Sequence, residues 1–231
     1  MLENIANWTP NKNDFLYGKL LIISEDYSKV VKRYGSEDFY YGALIYSVLS
    51  LREKFNQHKK QFNEFLKNDL WTATSILKNK KLVENILKKS AFPNKKIKTV
   101  FSTAENWNKL NLTKRIRDDE NEEMRFEIRE EIVKKMYGVG YKFASLFMRM
   151  SGYEKIVPVD IWAMKYVESR GFNKRGQIIE GLDKKRYLQY ENKLIQHAKK
   201  FDVSPALFQA TIYTKFSTWK KDSKIIFEYD K

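Results

Sequence analysis

The chain has 231 residues, 42% of them hydrophobic, enough for one large domain or two closely packed lobes, and its 44 Lys plus Arg against 29 Asp plus Glu leave a net charge of +15. The apolar content argues against disorder, and the charge argues for an anionic polymer or surface as partner. With no cysteine, disulfides, thiol catalysis and cysteine-ligated zinc or iron–sulfur clusters are excluded, and the two histidines, His58 and His197, lie too far apart in sequence to read as a ligand pair.

Apolar residues recur at three- and four-residue spacing over long stretches poor in Gly and Pro, so most of the chain is predicted helical. The one strand candidate is the short run KLLIIS near residue 20. Phe39 to Asn56 is a strongly apolar helix candidate carrying Leu44, Ile45, Val48, Leu49 and Phe55, and TSILKNKKLVENILKKS supplies the next. FPN at Phe92 to Asn94 marks a break before the helical KKIKTVFSTAENWNKL. The charged run KRIRDDENEE reads as a solvated loop leading to a helix over Met124–Tyr137, with Ile128, Ile132 and Met136 on one face. VPV is extended at Pro158, Ile161 to Arg170 is helical, and helices over Lys184–Lys200 and Ser204–Phe216 end the series. No stretch reaches the ~20 apolar residues of a membrane span, and the N-terminus has no basic start with an apolar core behind it.

MYGVGYKFASLF, Met136 to Phe147, interrupts this pattern with two glycines two residues apart. A helix ending at Gly138 and another starting after Gly140 form a tight hairpin, in which glycine permits positive φ and close approach. The amides of Gly138, Val139 and Gly140, with the N-terminus of the second helix, form an anion site able to hold one nucleic-acid phosphate. A helix pair turning on glycines for packing alone, with Ala144 and Ser145 kept small, satisfies the same spacing.

YGVGYKFASLFMRM followed by IVPVDIW, a combined motif from Arg129 to about Val167, closely resembles the helix-hairpin-helix DNA glycosylases. The resemblance implies an all-α, two-lobed fold with duplex DNA across the cleft between lobes. It places residues 1–55 with 161–231 in one lobe and 56–160 in the other, the hairpin falling at about 124–151. It implies base excision, in which a damaged base is rotated out of the duplex before its bond to the sugar is cut. Members that also nick the backbone carry a lysine where this chain has Lys142, so the resemblance implies a bifunctional enzyme. A neutral lysine amine would attack the sugar C1′, and the imine so formed permits β-elimination. The resemblance makes Asp160 the carboxylate that stabilises positive charge on the sugar; on its own, an aspartate before IWAMKYV is a good helix N-cap.

Near the C-terminus, PALFQATIYTKF sets Gln209 and Tyr213 four residues apart on one helical face. This is similar to the oxidised-guanine glycosylases, where a glutamine reads the base edge and an aromatic stacks on its ring; Phe216 and Trp219 are neighbouring candidates for that pocket. The family's polar run that fills the gap left by the flipped base is replaced here by Ser50, Leu51 and Arg52, so Leu51 is expected as a wedge and Arg52 as a contact to the opposite base. The expected partner is double-stranded DNA with a damaged base, 8-oxoguanine being favoured. The expected protein is a monomer, cytoplasmic and nucleoid-associated if the organism is prokaryotic, and needs neither metal nor organic cofactor. A non-enzymatic hairpin module that holds phosphate remains the alternative, as does a glycosylase for an oxidised pyrimidine, uracil or mismatched thymine.

Overall fold

The computed structural model describes residues 5–24, 39–117, 121–171 and 182–217, and these residues contain helices and turns without a strand. The helices are α1 Lys12–Ser24, α2 Phe39–Leu49, α3 Phe55–Lys67, α4 Ala73–Lys78, α5 Lys80–Leu87, α6 Pro93–Trp107, α7 Leu112–Arg117, α8 Glu122–Lys135, α9 Tyr141–Met150, α10 Ile161–Glu168, α11 Lys184–Lys200 and α12 Pro205–Phe216. Short polar residues start several of them. Thr72 and Ser75 form a reciprocal capping box on α4, and Asn121, Asp160, Asp183 and Ser204 accept first-turn amides of α8, α10, α11 and α12. Among the described residues, no helix is long and apolar enough to cross a membrane.

The chain divides into two compact units, one of Asp26–Gly152 and one of Met1–Glu25 with Tyr153–Lys231. The first is organised around α2, whose sequence FYYGALIYSVL is apolar on every side and is buried accordingly. It packs against α6 and α9. Tyr41 shares a hydrogen bond with Thr103 and meets Trp107 edge-on at 5.1 Å, and Trp107 in turn meets Phe147 at 5.8 Å, linking all three helices. In the second unit α12 packs on α1, α10 and α11. Gly18 of α1 faces Thr211 of α12 so closely that a β-carbon there would overlap the Thr211 hydroxyl.

Four sequence expectations are corrected. KLLIIS lies in α1 and is helical: a short apolar run cannot distinguish strand from buried helix, and packing against α12 decides it. The helix expected over Phe39–Asn56 stops at Leu49. Lys96, fully buried, donates from Nζ to Leu49 O (3.1 Å), Glu53 Oε1 (2.9 Å) and Gln61 Oε1 (3.3 Å), taking a carbonyl that a continuing helix would use, and Arg52 turns the chain at φ 51°. Within KRIRDDENEE, residues up to Arg117 belong to α7, whose Leu112 and Ile116 are buried. The division into 1–55 with 161–231 and 56–160 moves to the boundaries above. The cause is packing: α2 belongs with α6 and α9, while Glu154 O accepts the Ala206 amide at 2.9 Å and so joins the segment before Asp160 to α12.

Candidate active site

The hairpin is α8, the turn Met136–Gly140 and α9. Ile128 and Ile132 of α8 and Met136 just after it form one buried face, as their spacing predicts, while Ala144 and Ser145 are fully buried on α9. Their small size lets the helices approach, and the buried Arg129 donates from Nη1 to Ser145 Oγ at 3.1 Å across the contact. Tyr141 adds a 2.6 Å hydrogen bond to Glu130 Oε2.

The two glycines differ in kind. Gly138 has φ +75°, and a β-carbon there would overlap Thr99 Oγ1 of α6, so backbone and packing both require glycine. The same helix supports the turn twice more: Ser102 Oγ accepts the Tyr137 amide at 2.8 Å, and Lys98 Nζ lies 4.1 Å from the Tyr137 ring centre. Gly140 has φ −90° and ψ 178°, extended backbone open to any residue, and nothing lies within 4 Å of where its β-carbon would be. The positive φ expected of the turn therefore falls on Gly138 alone. Val139, between them, is buried.

Lys142 is the second residue of α9 and is exposed, its Nζ 5.4 Å from the Phe143 ring centre. Its charge reaches His58, whose imidazole is pushed down to about 4. Burial is the main cause, and the charges of Lys96 and Lys142 add to it against the opposing hydrogen bond to Tyr46 O. His58 is thus neutral near pH 7, with Nε2 2.7 Å from Tyr46 O.

Asp160 is buried and caps α10: Oδ1 accepts the amides of Trp162 and Ala163, each at 2.8 Å. Oδ2 accepts Gln209 Nε2 at 2.9 Å. The backbone leading to it is pinned by α11. Glu191 Oε1 accepts the Val157 amide at 3.1 Å, while Tyr187 Oη accepts the Val159 amide at 3.0 Å and donates to Val157 O at 2.8 Å. The carboxylate is therefore held at every link, from chain path to oxygen atoms.

The other predicted residues separate. Gln209 is 2% exposed and turned to Asp160, and Tyr213 is half-buried one turn on. Phe216 packs edge-on against Trp8 at 5.0 Å and nearly parallel to Trp162 at 6.4 Å, and Trp219 lies outside the described residues. Leu51 and Arg52 occupy the turn after α2, Leu51 half-buried and Arg52 exposed. The Arg52 guanidinium lies 4.8 Å from the ring centre of Phe92, a residue sequence reasoning used only to mark a break. Phe92 is 50% exposed at φ 55°, at the start of α6. The available signal was its place before Pro93: a large aromatic at a helix entrance that the core does not claim.

The two candidate groups are thus an exposed primary amine beside a glycine turn at a helix N-terminus and a carboxylate held by hydrogen bonds at both oxygens. The chain has counterparts of known sequence and structure. A family model described as 8-oxoguanine DNA glycosylase matches residues 23–203. A Thermotoga sp. (strain RQ2) 8-oxoguanine DNA glycosylase/AP lyase is 34% identical over 88 residues, 38% of this chain, and the match spans 42% of that relative's length. The Sulfolobus acidocaldarius 8-oxoguanine DNA glycosylase/AP lyase is 25% identical over 206 residues, covering 88% of this chain and 93% of the relative. The crystal structure of the 8-oxoguanine DNA glycosylase of Thermotoga maritima superposes with TM-score 0.71 at 21% identity, covering 93% of this chain and 95% of that one. Methanocaldococcus jannaschii 8-oxoguanine glycosylase/lyase, solved with a 15mer DNA containing 8-oxoguanine, superposes with TM-score 0.66 at 18% identity, covering 85% and 89%. The fold is the all-α, two-lobed helix-hairpin-helix glycosylase fold. The chain belongs to the 8-oxoguanine DNA glycosylase family.

Proposed function

We propose that this chain is a base-excision repair enzyme that removes 8-oxoguanine from duplex DNA and then cleaves the abasic strand. The observation that carries the reading is the pair Lys142 and Asp160 inside the family-matched segment, the amine on the first turn of α9 after the glycine turn and the carboxylate fixed at the start of α10. Phosphate binding alone calls for neither residue.

The turn holds a backbone phosphate through amides at Gly138 to Gly140 and the N-terminal end of α9, and the +15 charge adds salt-sensitive, sequence-independent affinity. Gly140 carries no internal need for glycine, and close approach of a phosphate supplies an external one. Neutral Lys142 attacks C1′ of the extruded nucleotide; the C1′–N9 bond breaks and the base leaves with its electron pair, taking up a proton. Positive charge grows on the sugar as the base departs, and the Asp160 carboxylate stabilises it. Ring opening gives an imine between Lys142 Nζ and C1′. Loss of a C2′ proton then sends the electrons to expel the 3′ phosphate. Tyr213 stacks on the extruded base, and Arg52 with Leu51 and Phe92 enters the space the nucleotide leaves.

Borohydride trapping tests the reading. Wild-type protein turning over an 8-oxoguanine duplex should become covalently joined to DNA, whereas Lys142→Gln should neither trap nor cut while still binding the duplex. Failure of the wild type to trap on 8-oxoguanine or on an abasic site would overturn the lyase chemistry. Undiminished trapping by Lys142→Gln would move the nucleophile to another amine.

A further inference from the structure

The geometry points to Gln209 as a positioning residue that holds the catalytic carboxylate and does not itself select the base. This rests on the reading of Asp160 as the charge-stabilising group. Asp160 Oδ1 accepts two backbone amides, which set the plane of the carboxylate about its soft terminal torsion from one edge only. The hydrogen bond from Gln209 Nε2 to Oδ2 at 2.9 Å holds the opposite edge, so that torsion is braced from both sides. Gln209 is itself 2% exposed on α12, with Phe208 and Ala210 fully buried beside it, so the donor is presented from a packed helix that contacts both α10 and α11.

The residue type fits the task. An arginine or lysine in this place would also hold Oδ2, but its charge would offset the negative charge that the transition state requires. A neutral amide orients the oxygen and leaves its charge in force. A carboxylate opposite an amide also fixes the amide's orientation, since only the NH₂ side can donate. Because the effect of Gln209 passes through Asp160, it bears on bond cleavage at any base that reaches the site, with the same factor for a lesion and for guanine.

Single-turnover excision from 8-oxoguanine and from guanine duplexes tests this with four full-length proteins: wild type, Asp160→Asn, Gln209→Met and Gln209→Glu. Gln209→Met, similar in length but without a donor, should excise 8-oxoguanine roughly 10- to 100-fold more slowly, the range expected when a hydrogen bond to a charged group is lost, with the 8-oxoguanine to guanine ratio preserved. Gln209→Glu should approach wild type at low pH, where the substituted carboxyl is protonated and donates to Asp160. Its rate relative to wild type should then fall at least about tenfold as pH rises and the shared proton is lost, leaving two carboxylates side by side. A merely structural glutamine would give no such pH-dependent ratio. A wild-type rate in Gln209→Met, a collapsed base ratio, or a pH-independent Gln209→Glu to wild-type ratio would each overturn the proposal. If Gln209→Met does not fold, the Gln209→Glu pH profile decides alone. Asp160→Asn separates the two levels: a normal rate there removes the assumed role of Asp160, whereas a slow Asp160→Asn with a normal Gln209→Met removes only that of Gln209.

Discussion

The hairpin turn and the loop before α10 carry the proposed nucleophile Lys142 and the proposed charge-stabilising Asp160 by opposite means. At the turn, the bracing from α6 reaches Gly138: Thr99, Ser102 and Lys98 hold Tyr137 and Gly138, after which a side chain at Gly140 would meet open space and Lys142 is exposed. In the loop, Val157, Val159 and both oxygens of Asp160 are engaged by side chains or amides of α10, α11 and α12. The contrast fits the roles proposed for the two groups. A nucleophile that forms and breaks a covalent bond through several geometries needs reach, whereas a charge that stabilises a transition state works best when it is oriented beforehand.

The contrast can be broken most forcefully at Gly138. Gly138→Ala should destabilise the protein by about 3 kcal/mol, combining the left-handed φ with overlap at Thr99, whose own hydroxyl is tied to Lys95 O at 2.8 Å. Adding Thr99→Ala should recover the steric part, which denaturant unfolding of the single and double variants will measure. In the loop, Tyr187→Phe strips the partner from the buried Val159 amide and Val157 carbonyl and should cost about 1–3 kcal/mol. It should also slow excision without lowering DNA affinity, separable by a binding titration beside a single-turnover assay. The smallest effect on stability belongs to Gly140→Ser. Serine suits a helix N-cap at φ −90°, so unfolding should change by only a few tenths of a kcal/mol, while duplex affinity falls roughly tenfold as the side chain fills space left for a phosphate. Unchanged affinity in Gly140→Ser would show that the open space at the turn is not where DNA approaches.

The glycine turn, the start of α9 after Gly140 and the Asp160 cap were legible because hairpin and loop are local: Gly138, Gly140, Lys142 and Asp160 fall within 23 residues, each near a helix boundary with its own chemical signal. The buried faces of α8 and α9 were equally plain from spacing. The partner of Asp160 was not, since Gln209 lies 49 residues further on and a glutamine beside an aromatic suits a base pocket as well as a carboxylate. The end of α2 was hidden for a related reason. No glycine or proline marks Ser50 to Lys54; the stop depends on Lys96, 47 residues away, reaching back to Leu49. KLLIIS misled because an apolar run without polar alternation carries no period, and only the face of α12 shows which structure buries it.

The way the terminal unit closes bears on how the chain is made. Arg170 donates to Ile5 O and Trp8 O across 165 and 162 positions, Lys215 pairs with Asp14 across 201, and Gly18 abuts Thr211. The Asp26–Gly152 unit is continuous, so a ribosome delivers it whole while the rest is still being translated. Helix α1 is made before that unit and its main packing partner α12 only after it, so α1 with its Leu21, fully sheltered in the finished protein, waits on α12 to leave the exit tunnel. The hairpin with Lys142 can be complete before Asp160 has emerged, and the carboxylate finds its glutamine only after 49 further residues have been added.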